Sequence, residues 1–465
     1  MGKVRASVNL PGSCAVRLSV SSAIRETRRG TTDSSPMTPF ESAPFSSFHR
    51  RVAISGAGGQ FSDGYSLGII GVALNLAKEP LGLTTWWIGA VGAASLIGLF
   101  VGCLVAGAVA DRFGRRPVYF WGMLIFTILA GLQYHSTSIY ELFIWRLLLG
   151  IALGGDYVSS DAIVSEYSPT EKRGYLLSFL SIAWTAGYLL SFVVGYLSRN
   201  SGPEAWRIVL VTCAAPSLIT FLLRFNIPES PVWLTRQGQF DKARDIVSKH
   251  IGSEIALPVV LELNKSEPGA LTNLFKQPLL RNLVVGCVFF TAQVIPGFAL
   301  GTFLPIVLTE LNVGDSYTGA LIYNVFLMLG VLIGMLIIDR IPRRTFVIQG
   351  FVWMAILLSI LILWRTAPTI ITVSLFSVYA FVIASTGILQ MVYPPELFPT
   401  EVRARGIGIV IACSRIGAAS STFFLPAVVN EYGVYCALGF CVLICIVAGL
   451  VCWMWAPETL HKRLV

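Results

Sequence analysis

Long apolar runs separated by short polar turns dominate this chain from about residue 52 onward. The runs fall at about 52–76, 86–108, 117–133, 141–165, 175–197 and 205–225, then at 281–309, 317–338, 345–364, 369–393, 405–429 and 434–455. As a helix rising about 1.5 Å per residue, each can cross all or most of a hydrocarbon core about 30 Å thick. The pattern predicts an all-α membrane protein of 12 transmembrane helices in two six-helix halves.

The polar turns carry an internal repeat. GAVADRFGRR at 107–116 lies between the second and third runs, and Asp339-Arg340-Ile341-Pro342-Arg343-Arg344 lies between the eighth and ninth. Glu166 to Arg173 (EYSPTEKR) returns as Glu396 to Arg403 (ELFPTEVR), and Pro228-Glu229 returns as Pro457-Glu458. Three landmarks repeating at one interval of about 230 residues point to duplicated halves, a frequent plan for transporters. The expected units are a disordered cytoplasmic tail over 1–50, a first half over 51–227 and a cytoplasmic linker of short amphipathic helices over 228–280. A second half over 281–456 and a cytoplasmic tail over 457–465 complete the chain. Met37 opens MTPFESAPFSSFHRR and offers a second start for the chain. The first 50 residues hold no apolar stretch of signal-peptide length.

Composition agrees with a membrane protein: 55% of residues are hydrophobic, 13% are charged, and mean hydropathy is +0.72. The net charge of +9 does not indicate a nucleic-acid partner. Its Lys and Arg residues sit in turns, and their excess on one side places both termini in the cytoplasm. The nine Cys residues show no metal-ligand spacing or disulfide framework. His49, His135, His250 and His461 fall in expected tails and loops, so neither a metal site nor a cofactor is expected.

Taken together, the two sets of six runs, GAVADRFGRR, PESPVWL after the sixth run and ELFPTEVRARG after the tenth resemble the major facilitator superfamily. SDGYSLGIIG in the first run is similar to the DGYD signature of aromatic-acid/proton symporters, with Ser66 where a second acid is usual. GGDY at Gly154–Tyr157 resembles phosphate/proton symporters, and PESPVWL is shared with sugar porters. The resemblance implies proton coupling through an acid in helix 1 and an arginine in helix 4, which here are Asp63 and Arg146. In organic-anion members an arginine in a similar helix 11 setting is linked to anion binding, here Ser414-Arg415-Ile416-Gly417.

Depth supports these candidates. Asp63 lies about 18 Å, Arg146 about 22 Å and Arg415 about 15 Å from the inner face. Ionisable groups inside a span are costly and mark function by default. Asp156 joins the proton-coupling set, and Asp161 is a further proton or gate candidate nearer the inside. Tyr65, Tyr157, Trp184, Tyr188, Gln293, Tyr323, Asn324 and Gln390 could line a substrate pocket beside Arg415. Asp111, Arg112, Arg115, Arg116, Glu166, Arg173, Asp339, Arg340, Glu396 and Arg403 are expected as an inner gate.

No nucleophile–base constellation suggests an enzyme. The expected function is proton-coupled symport of a small organic anion, an aromatic- or sugar-acid carboxylate, by a monomer in a bacterial inner membrane. A sugar/proton symporter or facilitator is the alternative. A non-transporting metabolite sensor is the alternative of another class.

Overall fold

The structure, a computed structural model, describes residues 38–258, 274–399 and 402–459. Its named elements are helical. The first half contains α1 (Ser47–Ala77), α2 (Thr85–Phe113), α3 (Arg115–Leu132), α4 (Ile139–Tyr167) and α5 (Thr170–Ser198). Its sixth span is two pieces, α6 (Ala205–Val211) and α7 (Ala214–Leu223). Two short linker helices follow, α8 (Pro231–Arg236) and α9 (Phe240–His250). The second half comprises α10 (Leu279–Thr302), α11 (Leu304–Glu310), α12 (Ser316–Ile337), α13 (Arg343–Leu363), α14 (Thr369–Gly387), α15 (Leu389–Leu397), α16 (Arg403–Tyr432) and α17 (Val434–Trp455).

Among the described residues, 11 spans are long and apolar enough to cross a membrane by composition. The twelfth is α1, whose 31 residues exceed the need but include many glycines and polar groups. Those groups, Gln60 and Asp63 among them, are buried inside the bundle, so α1 meets protein rather than lipid.

Three spans expected as single helices are broken. Pro216 has no N–H to give Thr212 O, and the sixth span divides at Thr212–Cys213. Pro305 likewise cannot bond Gly301 O, and the seventh divides at Phe303. The tenth divides at Ile388, beside Gly387.

The N-terminal segment also differs from expectation. Residues 1–37 lie outside the described residues, but 38–50 are ordered against the linker. Thr38 N–H donates to Glu254 O at 3.0 Å and Ala256 N–H to Thr38 O at 2.8 Å. Phe40 packs with Val247 and Ile255, because an aromatic ring gains by leaving water. His49 is not in a tail: it sits in the first turn of α1, closing a capping box with Ser46.

Candidate functional site

The repeated basic turns build matching structures at one end of the two halves, called here the basic end. Arg115 holds Asp111 at 2.5 Å and Glu166 at 3.5 Å. Arg343 holds Asp339 at 2.9 Å and Glu396 at 3.7 Å. Glu229 accepts the N–H groups of Arg115 (2.9 Å) and Arg116 (3.1 Å) at the start of α3. Glu458 repeats this with Arg343 (2.9 Å) and Arg344 (3.1 Å) at the start of α13. A carboxylate there satisfies free N–H donors and meets the positive end of the helix dipole. Gly114, at φ +106°, permits the approach, since a Cβ would strike the Glu229 carboxylate.

Several of the expected gate residues have other partners. Arg173 donates to Ser168 O at 3.4 Å, Arg403 to Phe398 O at 3.1 Å, and Arg112 lies over the Phe113 ring. Arg340 is exposed, and Arg343 is the hub in its place. Each ion-pair network closes within its own half. Among the described residues no ion pair joins the halves at the basic end.

The halves meet at the far end instead. Arg199, just after α5, bridges Asp315 at 3.2 Å, and Asn75 on α1 donates to Tyr317 on α12 at 2.8 Å. Gly71 faces the backbone carbonyl of Thr302 and Gly89 that of Phe423, each so closely that a Cβ could not fit.

Between the halves lies a cavity of about 220 Å³. Tyr157, Trp184, Tyr188, Gln293, Tyr323, Gln390 and Arg415 line it, as does Gln60, which sequence reasoning missed. Trp184 and Tyr188 stack with centroids 5.4 Å apart at 17°. Gln293 donates to Thr386 Oγ1 at 2.7 Å, while its Oε1 has no hydrogen-bond partner among the described residues. Arg415 crosses from the second half to lie over the Tyr157 ring at 5.2 Å, and no ion pair engages it among the described residues. Tyr65 and Asn324 do not line the cavity. The Tyr65 hydroxyl is taken up by Thr212 at 2.7 Å, and the Asn324 amide donates to Ala320 O at 2.8 Å.

The expected Asp63–Arg146 pair does not form. Arg146, fully buried, donates to Ser66 Oγ at 3.3 Å and Ser66 O at 3.0 Å. Asp63 is also fully buried, and neither carboxylate oxygen has a hydrogen-bond partner among the described residues. The buried ion pair of the first half is Asp156 with Arg224, a residue sequence reasoning passed over. Asp161 accepts from Gln60 at 3.2 Å at the cavity wall. The eight described cysteines are free thiols.

Two six-helix halves around a central cavity that holds a few polar side chains and an arginine, with the halves in contact at one end, define a membrane transporter of the major facilitator class. The chain belongs to the sugar (and other) transporter family, whose model matches residues 52–465. It is 35% identical to the inner membrane metabolite transport protein YgcS of Escherichia coli, over 91% of this chain and 94% of that protein. The glucose transporter GlcP of Staphylococcus epidermidis is 29% identical over 89% of this chain and 95% of its own. Among solved structures, the proton:xylose symporter XylE bound to 6-bromo-6-deoxy-D-glucose superposes with a TM-score of 0.69. The match is at 22% identity, covering 90% of this chain and 98% of that one, and it is a likeness of fold. The family and these relatives make the protein a multi-pass transporter rather than an enzyme.

Proposed function

We propose that this transporter is a proton-coupled symporter of a small organic anion, working by alternating access in a bacterial plasma membrane with both termini cytoplasmic. The observation that carries the reading is Arg415. It lines the cavity, is only 8% exposed and has no carboxylate in ion-pair contact among the described residues. A buried cation without a counter-ion is costly, and a bound carboxylate would supply the charge through two parallel hydrogen bonds. Proton coupling is supported by Asp63, because a carboxylate buried with no donor is tenable only when it carries a proton. The networks around Arg115 and Arg343 would keep each half rigid while the basic end opens and closes.

A neutral sugar is the second reading. It is favoured by the Trp184–Tyr188 stack, a flat apolar surface for a pyranose ring, by the three cavity glutamines and by what the relatives carry. A sugar acid satisfies both kinds of lining.

Thermal-shift binding on purified protein separates the two. Gluconate or benzoate is expected to stabilise the wild type, to lose at least tenfold in affinity in Arg415→Ala and to recover partly in Arg415→Lys. Glucose stabilising wild type and Arg415→Ala equally, with no carboxylate active, would overturn the anion reading.

A further inference from the structure

The proton-coupling part of the proposed function leaves one group without a role. Arg224, one residue past α7, is 1% exposed and lies where α1, α3, α4 and α7 converge. It donates to both Asp156 oxygens, to Ser160 Oγ at 3.0 Å and to the carbonyls of Tyr119 (2.7 Å) and Ser55 (3.4 Å). Its guanidinium stacks on the Tyr119 ring at 3.7 Å. This guanidinium is buried, and among the described residues its ion-pair partner is Asp156 rather than a member of the gate networks.

Asp63 is close to this pair. Gly59, one turn earlier on the same face of α1, lies so near Arg224 and Asp156 that a Cβ would collide with both. The charged groups acting on Asp63 are Asp156 and Asp161 from α4, Arg224 from beyond α7 and Arg415 from α16. Two carboxylates, Asp63 and Asp156, therefore sit near one arginine. Asp156 holds it with both oxygens, and Asp63 has no hydrogen-bond partner among the described residues.

We infer that Arg224 is a shared counter-ion, a positioning residue for proton coupling that ionises whichever of Asp156 and Asp63 it holds. With Arg224 on Asp156, Asp63 is left with no donor and carries the proton, as in this conformation. When Arg224 swings to Asp63, that carboxyl gives up its proton to cavity water past the neighbouring Asp161, and Asp156, released by Arg224, takes one proton from the same water. One proton is held in each arrangement and the charge of the site is unchanged, so the exchange avoids burying a second net charge. The inference rests on the reading that transport is proton-coupled, but it concerns residues that need not touch the carried molecule.

The test needs no substrate. In purified protein, the infrared C=O stretch of a non-hydrogen-bonded carboxylic acid is followed by pH titration and assigned by its loss in Asp63→Asn. The wild type is expected to show this band at neutral pH. In Asp156→Asn, Arg224 turns to Asp63, and the band's midpoint moves to at least tenfold higher proton concentration. The double variant Asp156→Asn with Arg224→Gln removes the pair together and is expected to restore the band, so simple misfolding would be recognised. An Asp63 band that does not move in Asp156→Asn would overturn the exchange. Such a result would leave anion binding at Arg415 untouched, because that is read separately by thermal shift.

Discussion

At the scale of single residues, depth along a helix is legible from sequence, but facing is not. Arg415 lines the cavity at about the depth its position in α16 implies. Asp63 and Arg146 matched in depth, yet Arg146 meets Ser66, three residues from Asp63 and about 60° away around a helix of 3.6 residues per turn. A small error in turn and azimuth was enough to exchange a carboxylate for a hydroxyl. Arg224 was missed because it follows an apolar run, where an arginine ordinarily reaches for water; only the fold shows it turned inward onto Asp156. The residue-scale prediction concerns Asp63. Asp63→Asn is expected to abolish accumulation driven by a pH gradient while leaving exchange within about threefold of wild type. Equal loss of both activities, measured in the same vesicles, would make Asp63 structural.

Between elements, the repeat was visible as sequence, but its physical purpose was not. The Pro-Glu landmarks are side chains that cap α3 and α13. Glu229→Gln removes a charged acceptor from N–H groups of Arg115, Arg116 and Ser230 and is expected to cost about 1–3 kcal/mol, read as a lower melting temperature. An unchanged melting temperature would show that water replaces the cap. The far-end clasp left no sequence signal, since Arg199 and Asp315 lie in loops 116 residues apart. Hydrogen bonds from the Thr318 side chain and backbone, then Arg199, hold the Asp315 carboxyl below the usual carboxylate range. The Thr318 bonds are local to the helix cap, so the Arg199 part alone bears on the clasp; because it lowers the carboxyl, that part is present above the ordinary carboxylate value and lost as pH falls through the depressed one. Asp315→Asn is expected to reproduce the low-pH state at neutral pH, widening spin-label distances across the far end. Distances independent of both pH and substitution would show that Gly71, Gly89 and the Asn75–Tyr317 bond suffice to close it.

Across the whole molecule, twelve apolar runs and a repeated turn were enough to specify two six-helix halves. The conformation was not legible, because it depends on which end the halves share. Here they share the far end, and among the described residues the basic-end ion pairs stay within their halves. The carried molecule was least legible, since a cavity lined by an arginine, glutamines and a stacked aromatic pair serves a sugar or a sugar acid. The most direct measurement uses proteoliposomes with an internal pH dye, to which carboxylates, neutral sugars and phosphate are added in turn. Acidification by one class of carboxylate, abolished in Arg415→Ala, is the predicted result; acidification by neutral sugars alone, unchanged in Arg415→Ala, would contradict it.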